Sequence, residues 1–193
     1  MPGDPIPGLG DVMIARLRPV AIGMLAALGA ISGALTVAVA MLGTVTGNSP
    51  PLTVVVIGFV MLAASTFMLS LELVSWAATV ATLGMIVVAT GTGIALLAGM
   101  QFQESGNVWL IGVTGIATAI VFIAAPIIAL LAARAGVTDS RSALLLTGAS
   151  VLVVVFGSDR NSIPAAASYL CYASAWVSIG VSLWTRARAS IAS

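Results

Sequence analysis

Long intervals without any charged residue are the feature that most constrains this chain. Five such intervals occupy residues 19–71, 73–103, 105–133, 142–158 and 161–185. A helix needs about 20 mainly apolar residues to cross the hydrocarbon core of a bilayer. Charged residues make up 7% of the chain, against roughly a quarter in soluble domains. The pattern therefore indicates an integral membrane protein rather than a domain folded in water.

The charge-free intervals predict an all-α, polytopic bundle of six transmembrane helices. The first interval is long enough for two helices and contains a turn signal, TGNSPP, at residues 46–51. Each of the other four intervals holds one helix. The predicted spans are residues 19–43, 50–69, 74–100, 108–133, 142–157 and 164–184. The fifth is short for a full crossing, so whether it spans the bilayer is left open.

The distribution of arginine predicts the orientation of the bundle. With six spans and a cytoplasmic N-terminus, Arg160 alone lies outside. The arginines on the inside are Arg16, Arg18, Arg134, Arg141, Arg186 and Arg188. This six-to-one bias follows the positive-inside rule. If the fifth segment did not cross, the C-terminus would lie outside and the split would be five to two. We therefore expect a plasma-membrane protein with both termini in the cytoplasm.

The chain divides into a transmembrane domain, residues 19–184, and two cytoplasmic ends, residues 1–18 and 185–193. Within residues 9–18, Leu9, Met13 and Leu17 recur at a helical spacing. That spacing suits a short helix lying on the membrane surface, and an irregular lead-in to the first span is an equally good reading. Pro19 fits the first turn of that span, where its missing N–H is no loss.

The residue types that are absent exclude several chemistries. The chain has no histidine and no lysine, which excludes an imidazole base or metal ligand, a Schiff base and a P-loop. A single cysteine, Cys171, can form neither an internal disulfide nor a cysteine-rich metal site. A net charge of +1 gives no reason to expect nucleic-acid binding. We expect no enzymatic activity, no cofactor and no metal.

Small residues predict where helices pack, because close backbone approach drives helix association in lipid. Gly29 and Gly33 lie four residues apart in the first span, and Gly91, Ala95 and Gly99 repeat that spacing in the third. These rows indicate helix contacts, either within one chain or between chains.

The sixth span carries polar groups of two kinds. One is a row of serines at intervals of four, Ser174, Ser178 and Ser182. The other is a set of aromatic side chains with polar tips, Tyr169, Tyr172 and Trp176. We expect the serines to mark a helix contact and the tips to find hydrogen-bond partners inside the bundle.

A possible substrate pathway is indicated by weak points in two helices. Pro126 lies within the fourth span, and Thr90 and Thr92 flank Gly91 in the third. Broken helices near the midplane form binding sites in many transporters, but Gly and Pro are also ordinary in membrane helices. Glu72, between spans two and three, is either a turn residue at the interface or a buried proton or cation site.

Two functions remain open from the sequence. Short loops and the lack of an evident intramembrane charge favour a non-enzymatic scaffold, anchor or assembly subunit, whose partners are the lipid bilayer and other membrane chains or copies of itself. The alternative is a small-solute transporter, or the substrate-binding membrane component of one, with Glu72, Thr90, Thr92 and Pro126 around a weakly polar cavity.

Overall fold

A computed structural model describes residues 9–47, 52–70, 108–156 and 163–192. These residues form five helices: α1, Leu9–Val45; α2, Leu52–Ser70; α3, Val108–Arg134; α4, Ser140–Phe156; and α5, Ile163–Ala192. The described part of the chain is therefore all-helical. The predicted span 74–100 lies outside it, as do Glu72, Thr90, Gly91, Thr92, Ala95 and Gly99.

Two helices are longer than the apolar segments that predict them. α1 begins at Leu9, so Pro19 lies inside a continuous helix rather than in its first turn, and α5 continues to Ala192. Residues 185–192 contain neither glycine nor proline, so no breaker ends α5 at its last apolar residue. α1 instead passes through Gly10 and Pro19, and at Pro19 the carbonyl of Ala15 has no backbone donor.

Two of the described helices contain segments long and apolar enough to cross a membrane. They are Ala21–Ala40, with a mean hydropathy of 2.1, and Ile163–Arg186, with a mean hydropathy of 1.3. α4 has 17 residues and is therefore about 25 Å long, somewhat shorter than a hydrocarbon core of about 30 Å.

The helix contacts run in a circuit around the molecule. α1 packs against α2 and α5, α5 also packs against α4, α4 against α3, and α3 touches α2. The buried face of α1 consists of alanines four residues apart, Ala26, Ala30, Ala34 and Ala38. Positions at this spacing share one helix face, so α1 presents a flat surface that its neighbours approach closely.

The connection between α3 and α4 is tight and fully specified by local chemistry. Gly136 has a φ of 76°, and the amides of Gly136 and Val137 donate to the carbonyls of Ala133 and Ala132, at 3.1 and 2.9 Å. This is a Schellman ending, which favours glycine at the left-handed position. Asp139 then caps α4, because its Oδ1 accepts a hydrogen bond from the Ser142 amide at 2.7 Å.

Candidate functional site

The glycines of α1 lie where its backbone approaches α2 most closely. A Cβ on Gly33 would stand 2.6 Å from the carbonyl oxygen of Gly58. A Cβ on Gly29 would stand 2.5 Å from the Oγ of Ser65. Neither distance leaves room for a side chain, so both glycines lie in an intramolecular helix contact.

The opposite side of α1 meets α5 through small residues as well. A Cβ on Gly180 would stand 3.2 Å from the Cβ of Ala27. A Cβ on Gly23 would meet the Cδ1 of Leu183 at 2.7 Å. Small residues on α1 are therefore used on two sides within one chain.

Aromatic rings from three helices meet in the interior. Phe59 of α2 and Phe122 of α3 have ring centroids 6.1 Å apart, and both contact Tyr169 of α5, at 6.3 and 5.8 Å. Phe122 also meets Tyr172 at 5.0 Å, and Tyr172 meets Trp176 at 6.5 Å. All five contacts are edge-to-face, the geometry that the ring quadrupoles favour.

Two polar tips in this aromatic cluster have no hydrogen-bond partner. Tyr172 and Trp176 are both 0% exposed, and the Tyr172 hydroxyl and the Trp176 indole N–H are unpaired. The two groups lie close enough to interact but do not form a hydrogen bond. Our expectation is therefore wrong for Tyr172 and Trp176, whereas Tyr169, the third residue it covers, is not without a partner. The edge-to-face contacts place other rings around Tyr172 and Trp176. Rings occupy space in which a hydrogen-bond acceptor would otherwise lie.

Pro126 is buried in α3, one turn beyond Phe122, and the helix is continuous through it. Proline cannot donate to the carbonyl four residues earlier, which is that of Phe122. The weak point that the sequence predicts at Pro126 therefore lies next to the aromatic cluster, within a continuous helix. The other predicted pathway residues, Glu72, Thr90 and Thr92, lie outside the described residues.

Polar groups gather at the end of the bundle where α3 and α4 connect, and we call this the polar corner. The Asp139 amide donates to the Ser182 Oγ at 3.0 Å. The hydroxyls of Ser142 and Ser178 lie 2.8 Å apart, and the Arg186 guanidinium donates to the Gly136 carbonyl. Ser178, Ser182 and Arg186 are spaced by four residues on α5, so one face of that helix holds the connection in place.

The carboxylate of Asp139 is stabilised by its surroundings. Hydrogen bonds from the Ser142 hydroxyl and amide, together with the positive charges of Arg186 and Arg141, hold the pKa of Asp139 below its usual value. Hydrogen bonds and cations both favour the ionised form. The group is therefore a structural anion at neutral pH rather than a proton carrier.

The sequence identifies parts of the polar corner without bringing them together. The serine row was visible, and two of its members contact the corner, whereas Ser174 donates to its own Leu170 carbonyl at 2.9 Å. The Ala-Gly-Val ending of α3 is the signal that could have identified Gly136. The described residues contain no cluster of His, Cys, Asp or Glu that could hold a metal ion.

The chain matches no protein-family model, no curated protein and no solved structure.

Proposed function

We propose that the protein is a plasma-membrane protein of six transmembrane helices, with both termini in the cytoplasm, and that it acts as a non-enzymatic assembly subunit. Support for the membrane setting comes from its outer surface. Large apolar side chains are exposed on every described helix, for example Val39 on α1, Ile57 on α2, Ile116 on α3, Leu144 on α4 and Val181 on α5. Exposing such a surface to water is energetically unfavourable, whereas lipid chains solvate it.

The assembly role rests on the outer face of α5. Ala167, Cys171 and Ser174 are exposed there, and the Ser174 hydroxyl is satisfied by its own helix. The small residues of α1 are already used within the chain, but these three are uncovered by the described helices. Small residues allow the backbone of another helix to approach closely, so we assign this face to a neighbouring subunit or a second copy.

The single cysteine provides a direct test. In membranes treated with a copper–phenanthroline oxidant, two copies that meet through this face would give a disulfide-linked dimer through Cys171. Ala167→Leu should lower the yield, while Ala64→Leu, the same change at an exposed position of α2, should not. Cys171→Ser is the negative control and should give no cross-linked dimer. A heteromeric partner would instead appear as a stoichiometric chain after gentle detergent purification, lost in Ala167→Leu. A partner-free monomer with no cross-link would contradict the proposal.

A transporter is the second candidate, favoured by the unpaired polar tips of the aromatic cluster. Two buried donors beside Pro126, where α3 lacks one backbone hydrogen bond, are suited to a polar solute that enters when the helices part. The test is hydrogen–deuterium exchange at the Trp176 indole in lipid nanodiscs. Exchange much faster than that of buried backbone amides in α5 would support a pathway reaching the cluster. Equal protection of both would count against it.

A further inference from the structure

An open groove of about 240 Å³ lies on the outer face of α3, lined by Ile127, Leu130, Leu131 and Arg134. These positions follow the i, i+3, i+4, i+7 spacing of one helix face. Ile127 is 53% exposed and Leu130 is 37% exposed. The groove is therefore an open apolar surface along one helix, lined by the side-chain carbons of these residues, and Arg134 in the last turn of α3 marks one end of it.

Further positive charge surrounds that end of the groove. Arg141, in the first turn of α4, and Arg186, on α5, are both exposed, and both act on the carboxylate of Asp139. Among the described residues between Arg134 and Arg186, Asp139 is the sole acidic one. The carboxylate of Asp139 balances one of the three positive charges of Arg134, Arg141 and Arg186, so two positive charges at this end of the bundle remain uncompensated by the described residues.

We propose that this groove binds one anionic phospholipid, with an acyl chain against Ile127, Leu130 and Leu131 and the phosphate of the headgroup beside Arg134. The inference rests on the proposed membrane setting, in which the arginine end of α3 lies at the cytoplasmic leaflet. That leaflet carries the anionic lipids, and basic pockets at this level bind their headgroups. A free phosphate ion would use the cation but not the apolar groove, so the lipid is the occupant that uses both.

The experiment is native mass spectrometry of the detergent-purified protein titrated with phosphatidylglycerol or with phosphatidylcholine of the same acyl chains. We expect the wild-type chain to retain the anionic lipid preferentially. Arg134→Gln should weaken that retention roughly fivefold, while Arg134→Lys should keep most of it. Arg160→Gln, which removes the same charge on the opposite predicted side, is the matched control and should have no effect.

A second pair of variants tests the groove separately from the charge. Ile127→Trp fills the groove, whereas Val181→Trp adds the same bulk at a position of similar exposure, 56%, on α5. Only Ile127→Trp should release the lipid. Equal effects of the two tryptophans, or of Arg134→Gln and Arg160→Gln, would overturn the site and indicate general surface attraction. Inorganic phosphate that competes at millimolar concentration would also overturn it. If the proposed membrane location were wrong, the protein would be recovered without detergent. That result can be told apart from the loss of the lipid site alone.

Discussion

A single missing methyl group decides how closely α1 and α2 can approach. At Gly33 an added Cβ would meet the backbone oxygen of Gly58, which cannot move without shifting the helix. At Gly29 it would meet the hydroxyl of Ser65, which can rotate away from its bond to the Met61 carbonyl. The sequence pattern does not distinguish the two glycines, but Gly33 faces backbone and Gly29 faces a side chain that can move.

We therefore predict that Gly33→Ala destabilises the protein by about 2 kcal/mol and Gly29→Ala by less. Gly148, in α4, is the matched control because a Cβ there meets nothing within 4 Å. Gly148→Ala should be neutral or stabilise by about 0.5 kcal/mol through helix propensity. Thermal unfolding in detergent measures all three. Equal stability of Gly33→Ala and Gly148→Ala would contradict the close contact.

The Tyr172 hydroxyl supports a prediction of opposite sign. Since this buried group has no hydrogen-bond partner, Tyr172→Phe removes an unsatisfied polar atom and should stabilise the protein by about 1 kcal/mol. Ser182→Ala is the contrast, because the Ser182 hydroxyl accepts a bond from the Asp139 amide and its loss should destabilise. Unfolding midpoints in one detergent compare the two. Destabilisation by Tyr172→Phe would show that the hydroxyl does have a partner.

At the scale of helices, the connection between α3 and α4 is fixed by a glycine at one end and a carboxylate at the other. Asp139 caps α4, and α5 holds the same residues through Ser178, Ser182 and Arg186. The start of α4 is therefore tied to a helix that follows it in sequence. Removing the cap should therefore weaken the packing of α4 against α5 as well as the first turn of α4.

Asp139→Ala should lower the free energy of unfolding by about 1 kcal/mol. Asp139→Asn keeps a side-chain oxygen that can accept the hydrogen bond from the Ser142 amide. Because the pKa of Asp139 is lowered in the folded protein, the carboxylate stabilises the fold fully above about pH 4. That contribution disappears as the pH falls through the lowered pKa. The difference in unfolding midpoint between the wild-type protein and Asp139→Asn should therefore shrink below pH 4. A difference that stays constant from pH 7 to 3 would contradict this role.

Local patterns explain which parts of this structure were predictable. α2 and α3 begin and end within two residues of their predicted limits, because apolar runs bounded by turn residues mark such helices. The start of α1 and the end of α5 lie outside the predicted spans. Hydropathy indicates which residues suit a lipid environment, and it does not indicate how far the backbone hydrogen bonds of a helix continue. The polar corner was missed because Asp139 and Ser182 are 43 residues apart, and no local spacing reveals such a contact.

At the scale of the whole molecule, the described helices expose large apolar side chains, and Arg134, Asp139, Arg141 and Arg186 lie together at one end of the bundle. Arg134, Arg141 and Arg186 are exposed at the end where α3 and α4 connect. That common location suits the predicted arrangement, in which all three lie inside.

We predict that a fluorescent protein fused after residue 193 remains fluorescent and that alkaline phosphatase fused there stays inactive, because both indicate a cytoplasmic C-terminus. A phosphatase fused after Arg160 should be active, since that loop lies outside in the six-span arrangement. An active phosphatase at the C-terminus would contradict six spans and require that one segment, α4 being the shortest described, fails to cross.

The two small-residue faces of α1 become occupied at different times during synthesis. α2 follows directly, so the close contact at Gly33 can form as soon as these two helices have been made. The face that receives Gly180 waits until α5, the last described helix, has left the ribosome, because a chain is made from its N-terminus. Until then, that face of α1 has no partner from α5. Because its small residues let any helix approach closely, it is the surface on which a wrong neighbour can pack before α5 is made.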